Sequence, residues 1–336
     1  MRRPDVRAFT IPVISALLAV VGMSGGHAAD PAPLQLETKI SLGRVVGRID
    51  HMAVDLSRRH LFVAELGNDS VGIVDLEAKK VLDRITGLKA PQGVGYASSN
   101  DVLYVANAGD GSVRLFRGAN FKEFGRIKLG EDADNIRIDT AGQRVFVGYG
   151  NGALAIIDAQ SNRKIADMTL DGHPESFRLE SGGHRVFVNV PDAHAVEVVD
   201  RNNGGTLAKW STGALGSNFP MALDDASRQV IVVFRKPAML VAFSIPDGAN
   251  VASASTCGDA DDVFADAKRH RVYVSCGDGF LDVFESHDTS YRRIGHIPTV
   301  SGARTSLYVP ELDRLFLAVR ARSQQPAELW VYRPSP

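Results

Sequence analysis

The chain of 336 residues carries 38 Lys and Arg against 39 Asp and Glu, for a formal net charge of −1. The basic residues are scattered along it, which excludes the clustered cationic surface that a nucleic-acid backbone demands. A hydrophobic fraction of 44% and a charged fraction of 23% are those of an ordinary globular protein.

The N-terminus reads as a targeting segment. Arg2, Arg3 and Arg7 give a positive start, and Ile11 to Met23 give an apolar stretch interrupted only by Pro12 and Ser15. Gly26-His27-Ala28 then places small residues where a signal peptidase reads them. The stretch is short of the roughly 20 residues that span a bilayer, and no other long apolar run follows. Residues 1–28 are therefore expected to be a cleaved secretory signal, and 29–336 a single exported domain, periplasmic or secreted.

Past this segment, Leu34 to Leu42 has the pattern of a polar outer strand without a partner nearby in sequence. A unit of four short strands then begins. His51 to Val54 is the first, Asp55 to Arg59 a polar turn, His60 to Ala64 the second strand, and Gly67 to Ser70 another turn. Val71 to Asp75 and Val81 to Leu88 complete the unit. Strands joined by turns of a few residues make an antiparallel meander.

The second strand of this unit recurs. Leu61-Phe62-Val63 is followed by Leu103-Tyr104-Val105, Val145-Phe146-Val147, Val186-Phe187-Val188, Val230-Ile231-Val232, Val272-Tyr273-Val274 and Leu315-Phe316-Leu317. Their centres at 62, 104, 146, 187, 231, 273 and 316 are 41 to 44 residues apart. A period of about 40–50 residues with several strands per repeat predicts propeller blades. The fold expected is all-β, a seven-bladed propeller of four-stranded antiparallel blades.

Seven residues before five of these centres stands a carboxylate: Asp55, Asp139, Glu180, Asp224 and Asp266. At the start of a tight turn it accepts backbone N–H bonds, a structural role. Asn151-Gly152 in the third repeat reads as a two-residue hairpin turn. After Leu329 to Tyr332 the last repeat has no fourth strand of its own. The unassigned Leu34–Leu42 segment is expected to supply it and close the ring, which removes exposed strand edges. Cys257 and Cys276 are the two cysteines. In an exported chain, with both positions towards one face of the sixth blade, they are expected to form a disulfide.

The second repeat, Leu103-Tyr104-Val105-Ala106-Asn107-Ala108-Gly109-Asp110-Gly111-Ser112-Val113 with Pro91-Gln92-Gly93-Val94 upstream, resembles the YVTN-type repeat of exported bacterial seven-bladed propellers. The resemblance implies fold and export. It names no ligand.

No covalent-haem motif, Walker loop or His-Glu-x-x-His is present. The candidate surface is positional: loops leading into the innermost strands, and those joining strands two and three, gather around the channel mouth. Loops on a rigid scaffold are where binding usually resides. Asp50, His51, Asp134, Asn135, Glu175, Asp262, Arg304 and Arg322 are the ligand-binding candidates. Arg320 and Arg322, on a longer loop of the last blade, would favour an anionic ligand. Two readings stand. The first is a binding or scaffold protein that engages a small molecule, metal ion or protein partner at this face, with no nucleic acid, no membrane span and a monomeric chain. The second is a metal-dependent propeller enzyme of lactonase or lyase type. It needs three or four ligands converging on a divalent metal ion with one position open. No catalytic or metal-binding residue is singled out, and a divalent metal ion is the only cofactor the pattern suggests.

Overall fold

Each of the seven apolar triplets lies in the second strand of a four-stranded antiparallel sheet. The structure is a computed structural model that describes residues 32–287 and 289–336, together with Met1, Pro4 and Asp5. The expected signal segment otherwise lies outside the described residues. Ala32–Pro336 forms one compact unit, an all-β seven-bladed propeller.

Side-chain alternation explains why the triplet repeats. In blade 1, formed by Met52–Asp55, His60–Glu65, Ser70–Asp75 and Lys80–Ile85, Phe62 packs with Leu103 and Val105 of blade 2. Its neighbours Leu61 and Val63 face the other way, against Phe316 and Ala318 of blade 7. Tyr104 in turn packs with Ile136 and Val145 of blade 3. Successive residues of a strand point to opposite faces, and each blade has a neighbour on both faces. All three triplet positions must therefore be apolar. Seven clusters result, each shared by two adjacent blades.

The turn carboxylates do what their position predicts. Asp55 accepts the Ser57 and Arg58 N–H groups at 2.9 and 3.2 Å. Asp139 accepts from Gly142, Asp224 from Ser227 and Asp266 from Lys268, while Glu180 takes the Arg185 N–H. The third-blade hairpin differs from expectation. Tyr149 pairs with Ala153, which leaves a three-residue loop of Gly150, Asn151 and Gly152. Both glycines take positive φ, at 59° and 150°, a requirement that Asn-Gly alone does not reveal.

The ring closes as expected. Leu34–Gly43 pairs antiparallel with Ala327–Pro334, from Leu34 opposite Pro334 to Gly43 opposite Ala327. It becomes the outermost strand of blade 7, outside Arg314–Val319 and Ser306–Val309. Cys257 and Cys276 form a disulfide with their Cα atoms 5.8 Å apart. The bond ties the approach to Ala260–Asp266, the innermost strand of blade 6, to the end of its second strand, Arg271–Cys276.

Candidate functional site

Four blades carry a β-bulge at the same place, the start of the innermost strand. In blade 3, Ala133 pairs with Tyr149 and Ile136 with Val147, so Asp134 and Asn135 stand opposite Gly148 alone. Gln92-Gly93 in blade 2, Phe219-Pro220 in blade 5 and Asp261 in blade 6 are displaced in the same way. A bulge bends its strand and re-aims side chains. In blades 2, 3 and 6 it turns polar residues, Gln92, Asp134, Asn135 and Asp261, towards the channel mouth. The bulges also pack closely: a Cβ on Gly93 would sit 1.9 Å from the Asp134 carbonyl oxygen, so no larger residue fits there.

The structure brings Asp50, His51, Asp134, Asn135 and Glu175 together around one pocket, with Arg48, Ser176, Phe219 and Asp261. It opens into a polar cavity of about 260 Å³ that reaches Gln92, His173, Arg235 and Arg304. Asp50 is held by Arg48 at 2.7 Å. His51 Nε2 lies between two carboxylates, 3.7 Å from Asp50 Oδ1 and 3.7 Å from Asp134 Oδ1. Burial, reinforced by the Arg137 charge, pushes its imidazole down to about 3, so it is neutral and gives neither carboxylate a counter-charge.

The acids respond accordingly. Burial lifts Asp134 well above the ordinary carboxylate range, and the charges of Asp50, Glu175 and Asp132 add to the effect. Burial also raises Asp50, against the pull of Arg48 and Arg304. Glu175 is pushed up to about 7, mainly by burial. Asp134 Oδ1 and Asn135 Oδ1 are buried without a hydrogen-bond partner among the described residues. Such orphaned acceptors are rare and costly.

Of the other candidates, Arg304 lines the wider cavity, and Arg322 and Asp262 fall elsewhere. Arg304 is shared between Asp259, at 2.6 Å, and Asp261, at 3.1 Å. Arg235 joins the same two acids, with its guanidinium stacked 4.0 Å over the Phe219 ring. Arg322 donates to the Ser301 carbonyl at the tip of the long loop. Asp262 lies deeper, where it accepts the Ser306 N–H at 2.7 Å and lines the channel rather than the mouth. Among the described residues, the only three His, Cys, Asp or Glu ligand atoms within 4.8 Å of one another are those of Cys257, Cys276 and Asp278, where the sulfurs bond to each other. The mouth acids do not form such a set.

Sequence reasoning missed Arg48, Arg137 and Arg178. Arg48 lies in the connection before blade 1, outside any repeat. The two others lie within strands and not in the loops around the mouth. They are visible as charges within the innermost strands, each opposite a triplet centre: Arg137 opposite Phe146 and Arg178 opposite Phe187. The corresponding residues in the other blades are Ala53, Gly95, Ala222, Phe264 and Leu307.

No protein-family model matches the chain, and no curated protein matches it. Solved structures do. A chain of the Mitotic Checkpoint Complex superposes with a TM-score of 0.76 at 12% identity, covering 97% of this chain and 98% of that one. A chain of Kuenenia stuttgartiensis hydrazine synthase gives 0.72 at 15% identity, covering 83% and 95%. At such identities the likeness shows the fold alone, and the propeller fold is consistent with a binding or scaffold role. Among the described residues no helix is long and apolar enough to cross a membrane.

Proposed function

We propose that the chain is an exported propeller of the YVTN-repeat type that binds a small molecule at the channel mouth and does not transform it. One observation carries this reading: Asp134 Oδ1 and Asn135 Oδ1 sit buried and unpartnered at the base of the mouth, with the Glu175 carboxyl beside them. Acceptors left bare in a preformed cavity are matched by a ligand that donates, through an ammonium or a hydroxyl group. The nearby cations are largely committed elsewhere, Arg48 to Asp50 and Arg304 and Arg235 to Asp259 and Asp261. A metal-dependent lactonase or lyase finds less support, because the mouth acids do not converge as a ligand set.

The test is a thermal-shift and calorimetric screen of small amines and polyols. At least one should bind the wild type and bind Asp134→Leu about tenfold or more weakly, the loss expected when a buried acceptor is removed. The reading fails if no amine or polyol binds, or if those that bind are indifferent to residue 134.

A further inference from the structure

Below the mouth, the channel holds a second cavity of about 380 Å³ that is reached past His51. Its walls are largely apolar, with Val54, Val94, Ile136, Phe264 and Leu307 among them. Into this apolar space project the two arginines of blades 3 and 4. Arg137 Nε and Arg178 Nη1 converge on one acceptor, the Phe177 carbonyl, at 3.1 and 3.2 Å. Arg137 Nη1 also donates to its neighbour's carbonyl at 2.7 Å. Three of the ten guanidinium N–H donors are thereby used. None of the remaining nitrogens is a buried orphan, so they face the cavity.

Neither guanidinium has a carboxylate within 4.0 Å, although most arginines of this chain's interior do. The acid that shares their cavity is Asp262, which is committed to the Ser306 N–H and shifted by burial towards its neutral form. His51 is neutral. Two guanidiniums thus face at most one carboxylate. Burial lowers both arginines, Arg178 to about 10 and Arg137 well below its ordinary value, where the Arg178 charge adds to the effect. Buried charge without a partner is strongly unfavourable, and adjacent guanidinium forks match the two oxygens of a carboxylate.

We propose that Arg137 and Arg178 form an oxyanion site inside the channel that takes the carboxylate of a small ligand with an apolar body. The paired forks fix the carboxylate, and the aliphatic and aromatic walls cover the rest of the molecule. The site is distinct from the donor-seeking mouth and stands whether or not the mouth binds an amine.

Calorimetry with benzoate, benzamide and inorganic phosphate tests it. Benzoate should bind. Benzamide, which has the same body without the charge, should bind about tenfold or more weakly, and phosphate should bind more weakly than benzoate. Arg137→Gln and Arg178→Gln should each weaken benzoate by about tenfold to a hundredfold. Should either arginine variant not fold, the wild type crystallised with 4-bromobenzoate decides. Anomalous bromine density within the channel, with the carboxylate on both guanidiniums, supports the site. Density elsewhere, or none, overturns it. The proposal also fails if benzoate does not bind at millimolar concentration, if benzamide matches it, if phosphate binds as tightly, or if the arginine variants bind benzoate unchanged.

Discussion

Glu175 and His51 pull the stability of the molecule in opposite directions over overlapping ranges of pH. Glu175 in the folded chain is raised from 4.5 to about 7. Between those values the folded chain keeps a proton that the unfolded chain releases, so stability falls as pH rises through that window. Above about 7 the cost of the buried charge is complete. His51 is lowered from 6.5 to about 3, so over its own window the unfolded chain binds the proton and stability increases with pH. The wild-type profile mixes the two. A comparison with Glu175→Gln separates them, because the variant keeps His51 and loses the carboxyl. The variant should match the wild type near pH 4.5 and become progressively more stable than it up to about pH 7, with a constant gap beyond. Melting temperatures across this range would show it. A gap that does not widen with pH would mean that the folded Glu175 titrates normally.

At the scale of single elements, the blades combine a rigid part with an adjustable one. The second strands are interchangeable from blade to blade, since each faces apolar neighbours on both sides. The start of each innermost strand is not, and the bulges at Asp134-Asn135, Phe219-Pro220 and Asp261 each add one residue but differ in which residue they present. Blade 6 adds a covalent tie across this region. The disulfide joins residues separated by 19 positions and encloses Asp259, Asp261 and Asp262. In the chain-entropy account, closing a loop of this size contributes about 3 kcal/mol. Replacing both cysteines by Ser should therefore lower unfolding free energy by about that amount in urea denaturation. It should also loosen the Arg235–Asp261 and Arg304–Asp259 pairs, which a rise in hydrogen exchange across 258–262 would report. Unchanged denaturation would show that blade packing alone holds these strands.

For the whole molecule, the blade count, the order of strands and the closing segment were legible in the sequence, because a period near 42 residues constrains every copy at once. The candidate surface was legible only in outline. Arg304 meets Asp259 across 45 residues, and no local pattern announces such a pairing. The bulges add a single residue at the start of innermost strands whose sequences differ among repeats, so alignment of the triplets does not expose them. Arg137 and Arg178 stand in strands, where charge reads as surface until the ring places those strands around a channel.

Ring closure is where the architecture is most open to challenge by experiment. Leu34–Gly43 is held by main-chain pairing with Ala327–Pro334 along its length, by the Arg314–Glu37 ion pair, and by Leu34, Ile40 and Leu42, each 2% exposed or less. Burying three such side chains contributes about 1.5–3 kcal/mol apiece, which together approaches the 5–15 kcal/mol that roughly bounds the net stability of a domain. Those side chains serve two blade interfaces, since Leu34 packs with blade 6 and Ile40 and Leu42 pack with blade 1. Loss of the strand therefore uncovers both faces of blade 7 and exposes the edge of Ala327–Pro334 to other chains. A variant lacking residues 34–43 should unfold at much lower urea concentration or aggregate. Ile40→Asp, which keeps the backbone but buries a charge in the blade 7 and blade 1 cluster, should lower the midpoint by an intermediate amount. A synthetic peptide of residues 34–43 should restore part of the deleted variant's stability by adding back the strand in trans. If the deleted chain unfolds at the wild-type midpoint, the ring is held by blade-to-blade packing and the closing strand contributes little.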